Sequence, residues 1–189
     1  MEVKQKPRAT DGKLDPQTWT DAALDTLAAD GIDGVRVELL AKRLKVTKGS
    51  FYWHFKDRNE LLESMLSRWR RRATLALIER IDRGDGTPLD RLRTLLRVPI
   101  EGRQSTKGAD VELAMRLWGR RDARPKAVLE EVDQLRLHYI ARLLVEGGFS
   151  QEEAEARAVL AYSYMRVAPS LLDPAANDLV ERCEKILLD

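Results

Sequence analysis

Val46-Thr47-Lys48-Gly49-Ser50-Phe51-Tyr52-Trp53-His54-Phe55-Lys56 is the stretch that decides how this chain folds. Wound as a helix at about 100° per residue, it turns Phe51 and Phe55 to one side, because a large apolar pair at i and i+4 shares a face. Gly49 and Trp53 then occupy the opposite face, with Ser50 on one flank and Tyr52 and Lys56 on the other. A hydroxyl, a phenol, an indole, a cation and a stretch of bare backbone suit the groove of a nucleic acid. Glycine inside a helix costs about 1 kcal/mol relative to alanine. That cost makes sense where a side chain would hold the helix off a base edge; a strained turn is the alternative. Thr47 stands at the N-cap and Lys48 in the first turn, so free backbone N–H groups and a positive helix end face outward, as phosphate binding requires.

Upstream, Val37, Leu40, Ala41 and Leu44 mark one side of a preceding short helix. The break at 45–47 is three residues long, which makes the pair a helix-turn-helix. Before it, Asp15 caps a first helix with Pro16 in its first turn; Trp19, Ala22, Ala23 and Leu27 form its stripe and Gly31 stops it. Downstream, Asp57 and Glu60 have capping-box spacing, opening a longer helix through Leu61, Leu62, Met65, Leu66 and Trp69 toward Arg83. The turn at 84–88 closes it, and Leu89, Leu92, Leu95, Leu96 and Ile100 mark a fifth helix. A loop is expected at 106–110 and a sixth helix at 111–118. A seventh runs from Pro125 to Glu146, closed by Gly147-Gly148; an eighth is capped by Ser150 with Glu153 and ends near Pro169; a ninth covers 175–188. No strand alternation and no repeat intervenes. The expectation is an all-α chain of about nine helices: a polar N-terminal arm at 1–14, a three-helix helix-turn-helix domain at 15–60, and a helical domain at 61–189.

The 189 residues are 43% hydrophobic, enough to build a core without staples, and the net charge of +2 hides an uneven distribution. Residues 34–58 hold seven cations (Arg36, Lys42, Arg43, Lys45, Lys48, Lys56, Arg58) against Glu38 and Asp57, whereas the first 33 residues carry four positive and seven negative side chains. A basic patch confined to the helix-turn-helix is the electrostatic footprint of phosphate recognition, though a solvated basic face is the bland reading. The arm's Lys4, Lys6, Arg8 and Lys13 suit a minor groove or a plain polar terminus. One cysteine, Cys183, excludes an internal disulfide, and with two histidines it cannot supply a structural zinc set. No apolar run reaches the roughly 18 residues of a membrane span, and the N-terminus lacks the apolar stretch of a signal peptide, so a cytoplasmic location with no membrane partner is expected. There is no phosphate-binding glycine loop, paired-histidine helix or nucleophile motif, so neither enzyme, cofactor nor metal is expected.

Taken together, Leu40-Ala41, the run from Val46 to Lys56 and Glu60-Leu61-Leu62 resemble the helix-turn-helix signature of the tetracycline-repressor (TetR) family. The resemblance is strong over about the first 65 residues; beyond them it rests on length, helix pattern and the region 112–166. It implies that Tyr52, His54 and Lys56 clasp phosphates. Thr47, Lys48, Ser50 and Trp53, with Gly49 allowing close approach, are then the major-groove surface, since phosphate contacts set register and base contacts specify. Two positions depart from the family pattern. Arg36 stands where a small polar cap is usual and is expected to neutralise a phosphate, and Lys45 stands where the turn usually has glycine.

In the C-terminal half, Arg103, Met115, Trp118, Tyr139, Tyr162 and Met165 are candidates to line an effector cavity between helices, and each is equally suited to filling core. One recognition helix reads few base pairs, so useful affinity needs two copies about 34–36 Å apart. The resemblance places the two-fold interface on the last two helices, through Val159, Leu160, Tyr162, Leu179, Val180, Ile186 and Leu187, residues that otherwise close the monomer's own core. The function these readings imply is a homodimeric transcription regulator, a repressor released from a palindromic double-stranded DNA operator by an unidentified small molecule. An architectural DNA-binding dimer without an effector is the rival.

Overall fold

The computed structural model describes residues 14–101, 107–172 and 177–189, and every regular element among them is helical. α1 (Pro16–Asp30) is capped by the Asp15 carboxylate, which accepts the Thr18 N–H at 2.7 Å. Gly31 ends it at φ +70°, and a 3-10 turn (Ile32–Gly34) leads to α2 (Val37–Leu44). That turn is tight enough to need glycine at its end: a Cβ on Gly34 would lie 2.5 Å from the Cβ of Asp30. α3 (Lys48–Tyr52) follows the three-residue break.

Next, α4 (Arg58–Arg70), a π-helical turn (Arg71–Leu75) and α5 (Ala76–Asp82) run on without interruption as one rod. Its capping box is present: Asp57 Oδ1 accepts the Glu60 N–H at 3.0 Å, and Glu60 Oε2 accepts the Lys56 N–H at 2.6 Å. α6 (Pro88–Glu101), α7 (Lys107–Gly119), α8 (Ala123–Glu146), α9 (Gln151–Leu171) and α10 (Asn177–Leu188) complete the chain. With the rod counted once, the described residues hold nine helices.

Three expectations change. Residues 107–110, read as loop, are the first turn of α7; Asp110 lies there, where the helix dipole favours a carboxylate, and the space beside Gly108 is open. Pro169 lies inside α9, which continues to Leu171. The Leu172 N–H still closes on the Ala168 carbonyl at 2.9 Å, and packing of Ala168 against Ile100 and Val180 outweighs the proline penalty. α3 is only five residues long, so Phe55 lies beyond it, yet its N–H closes on the Phe51 carbonyl at 3.0 Å and keeps the intended face.

One core joins α1–α4 to α7 and α8: Trp19, Leu27, Leu40, Phe51 and Met115 are wholly buried in it, each worth about 1.5–3 kcal/mol by apolar transfer. A second, around Leu92, Leu96, Ile140 and Leu143, joins α5, α6, α8 and α9. Leu61, Met65 and Trp69 belong to the first core, so the helix-turn-helix shares its interior with the start of the rod and with α7.

Candidate nucleic-acid interface and the C-terminal polar cluster

Phe51 anchors α3. Its ring meets Trp19 edge-on at 5.3 Å and stacks on Phe55 at 5.2 Å, with both neighbours buried. That anchor leaves Tyr52 and Trp53 61% and 76% exposed, unusual for large aromatic side chains. Thr47, Lys48, Gly49 and Lys56 are exposed with them, and Ser50 and His54 are half-buried. Gly49 is not demanded by the chain's own packing: a Cβ there would meet only the Thr47 Oγ1, at 3.6 Å.

Thr47 has the extended backbone of an N-cap, but its hydroxyl makes no capping bond. Lys48 Nζ lies 2.7 Å from Glu38 Oε1, and both side chains are more than half exposed, so the pair is weak and screened. Arg36 occupies the extended N-cap of α2 without a side-chain cap bond, its Nε donating to the Asp33 carbonyl at 2.9 Å. Lys45 adopts the left-handed conformation (φ 58°, ψ 38°) that favours glycine.

Arg58 was not singled out by the sequence reading. Its Nε donates to the Val35 carbonyl at 2.6 Å and its Nη2 to the Ile32 carbonyl at 2.9 Å, clamping the 3-10 turn that aims α2. The sequence shows its charge, as part of the basic patch, and its place just after the capping Asp57, but not these carbonyl partners.

The candidates for an effector site divide between two places. Met115 and Trp118 are buried in the first core, with the Trp118 indole N–H on Asp122 Oδ2 at 3.2 Å. Tyr139, Tyr162 and Met165 lie in or against the second core. Arg103 lies outside the described residues, as do residues 1–13 of the arm. The Tyr139 hydroxyl donates to Asp82 Oδ1 at 2.8 Å; burial, and then that carboxylate, push its pKa upward.

Tyr162 belongs to a cluster that the sequence reading missed. Its hydroxyl donates to Asp133 Oδ1 at 2.6 Å and accepts from Arg136 Nη1 at 3.0 Å. Arg116 holds Asp133 at 2.7 and 3.0 Å, and Arg116, Arg136 and Arg166 all pair with Glu112. Burial alone would raise the Glu112 pKa, but the three guanidiniums outweigh it and hold the carboxyl below its ordinary range. Among the described residues no group of three or more His, Cys, Asp or Glu side chains is placed to hold a metal ion, and no helix is long and apolar enough to cross a membrane.

Of the residues expected at a two-fold interface, Val159, Leu160, Leu179 and Ile186 are exposed, Tyr162 and Leu187 are half-buried, and Val180 is turned inward against Ile100 and Ala168.

A helix-turn-helix carried on an all-helical body is the architecture of a DNA-binding regulator. Residues 20–65 match the family described as bacterial regulatory proteins, tetR family. The chain is 43% identical over 53 residues to the tetracycline repressor protein class A from transposon 1721 of Escherichia coli, an alignment covering 28% of this chain and 24% of that protein. It is 29% identical over 180 residues to the Escherichia coli class C tetracycline repressor, covering 91% of this chain and 72% of that one. A transcriptional regulator from Rhodococcus sp. superposes with a TM-score of 0.69 at 22% identity, over 93% of this chain and 94% of that one. Residues 20–65 are thus similar to the helix-turn-helix of the tetR family, the chain spans only about a quarter of the length of the class A repressor it matches there, and its fold is that of the Rhodococcus regulator over most of its length.

Proposed function

We propose that the chain is a DNA-binding transcriptional repressor that acts in the cytoplasm as a homodimer on a palindromic operator and is released by a small molecule. Residues 15–60 bind DNA, and residues 61–189 pair the protomers and sense the effector. The observation that carries this reading is the outward display of Tyr52, Trp53 and Lys56 from α3 and the turn that follows it, whose inner face is locked by Phe51. Tyr52, His54, Lys56 and Arg36 hold phosphates, while Thr47, Lys48, Gly49, Ser50 and Trp53 face base edges. Repression is supported by the named activity of the two tetracycline repressors, whose ligand is not carried over to this chain.

The test is duplex binding by fluorescence anisotropy over a salt series, using a random-sequence duplex and one recovered by in vitro selection. Binding that falls linearly in log–log form with salt, and is tighter to the selected duplex, is expected. No salt-sensitive binding to either overturns the reading.

A further inference from the structure

The cluster around Glu112 holds more charge than stability explains. Buried ion pairs are often replaceable by apolar side chains without loss, because desolvation offsets their attraction. Yet five ionised groups from α7, α8 and α9 converge here: Arg116, Arg136 and Arg166 against Glu112 and Asp133, leaving one positive charge in surplus. About a third of the Arg116 and Arg166 side chains remains open to solvent, so the surplus is reachable.

Arg136 connects this cluster to the rod. A guanidinium has five N–H donors. Here Nη1 serves Glu112 Oε1 at 2.9 Å and the Tyr162 hydroxyl at 3.0 Å, Nη2 serves Glu112 Oε2 at 3.2 Å and the Ala73 carbonyl at 3.0 Å, and Nε serves Ala73 again at 3.3 Å. The fork is fully committed, so a new partner must displace an old one. The bonds to Ala73 and to the Tyr162 hydroxyl are held less strongly than those to Glu112, because their acceptors are neutral whereas Glu112 is ionised, and of these only Ala73 lies in the rod. Ala73 sits in the π-helical turn, the one place in the rod where the i→i−4 pattern is broken.

We propose that Arg116, Arg136 and Arg166 dock the anionic group of a small organic monoanion such as a carboxylate, and that Arg136 reports its arrival by releasing the Ala73 carbonyl. The inference rests on the ligand-responsive reading above and names the chemistry of its effector. The bound anion cancels the surplus charge without unpairing Glu112. Relieved of its external donors, the turn relaxes toward the α register, and each residue of that change rotates α4 by about 100° relative to α5. α4 packs on α1, so the movement reaches the helix-turn-helix.

The test uses the full chain with sodium acetate, butyrate and hexanoate, and with 1-butanol, 1-hexanol and n-butylamine as matched probes, read by Tm and by backbone hydrogen exchange at 71–75. At ten times Kd a carboxylate should raise Tm by about 3–6 °C and slow exchange at 71–75 about tenfold as the turn gains the α register, with neither effect from the alcohols or the amine. Arg136→Met should abolish both effects, whereas Glu112→Gln, which enlarges the surplus, should strengthen acetate binding. Should Arg136→Met not fold, the wild-type comparison decides alone. Equal stabilisation by alcohol or amine, absence of any carboxylate effect in both wild type and Glu112→Gln, or unchanged exchange at 71–75 overturns the proposal. Release of the selected duplex by a neutral or cationic probe sinks the anion site but keeps the ligand-responsive reading. Carboxylate binding with the expected exchange change but unaltered duplex affinity keeps the anion site and sinks the ligand-responsive reading.

Discussion

Arg68 lies fork to fork on the Asp21 carboxylate, Nε to Oδ1 at 2.5 Å and Nη2 to Oδ2 at 2.6 Å, and this pair ties α1 to the rod. Arg72 adds a third donor at 3.1 Å. The helix-turn-helix is therefore fastened by a charge pair as well as by its core.

The pair has a pH signature. The Arg68 hydrogen bonds hold the Asp21 carboxyl below its ordinary 3.8, so the stability it contributes is complete above that value and is lost as pH falls through the folded-state value. Asp21 is partly exposed, so Asp21→Asn should cost only about 0.5–1 kcal/mol at pH 7. Urea unfolding of wild type and variant should show that gap at neutral pH and its closure below 3.8. A gap that persists or widens in acid contradicts the assignment.

Lys45 carries left-handed strain. A non-glycine residue there costs about 1–2 kcal/mol, and glycine returns roughly 0.5–1 of that through the unfolded chain. Lys45→Gly should therefore stabilise the protein by about 0.5–1 kcal/mol, raising the urea midpoint with an unchanged slope. A lower midpoint would mean the turn uses the lysine side chain.

Lys56 and Trp53 should separate affinity from specificity. If Lys56 holds a phosphate as proposed, Lys56→Ala should weaken binding on every duplex and lower the salt slope by about 1. Trp53→Ala should instead change the ranking among single-base variants of the selected duplex, by about 1–3 kcal/mol at the contacted pair. Reversed outcomes would exchange the two roles.

Local features were legible in the sequence. Asp15, Asp57 and Ser150 each cap a helix through a residue three positions on, so their geometry is written in adjacent letters. Phe51 and Phe55 were legible for the same reason. What stayed hidden joins distant segments: Arg58 to Ile32 across 26 residues, and Arg136 to Ala73 across 63. Periodicity shows which face a charge occupies but not which partner it meets. Nor does it distinguish core from cavity.

The proposed two-fold interface gives the sharpest test of how the helices serve DNA. Leu160, Val167 and Leu171 are exposed on α9 at i, i+7 and i+11, within one narrow stripe, and Leu179 and Ile186 repeat the i, i+7 spacing on α10. Arg157 holds the end of α10 to α9 through the Leu187 carbonyl at 2.8 Å, so a surface change on that stripe leaves the monomer's fold intact. Ile186, 78% exposed, has little to lose within the chain and most to lose between chains. Ile186→Glu should place like charges across the two-fold axis and yield a monomer by light scattering with an unchanged far-ultraviolet circular dichroism spectrum. Affinity for a palindromic duplex should then fall at least about 100-fold, since the second half-site no longer binds at high effective concentration, while affinity for an isolated half-site holds. A variant that stays dimeric would move the interface off α10.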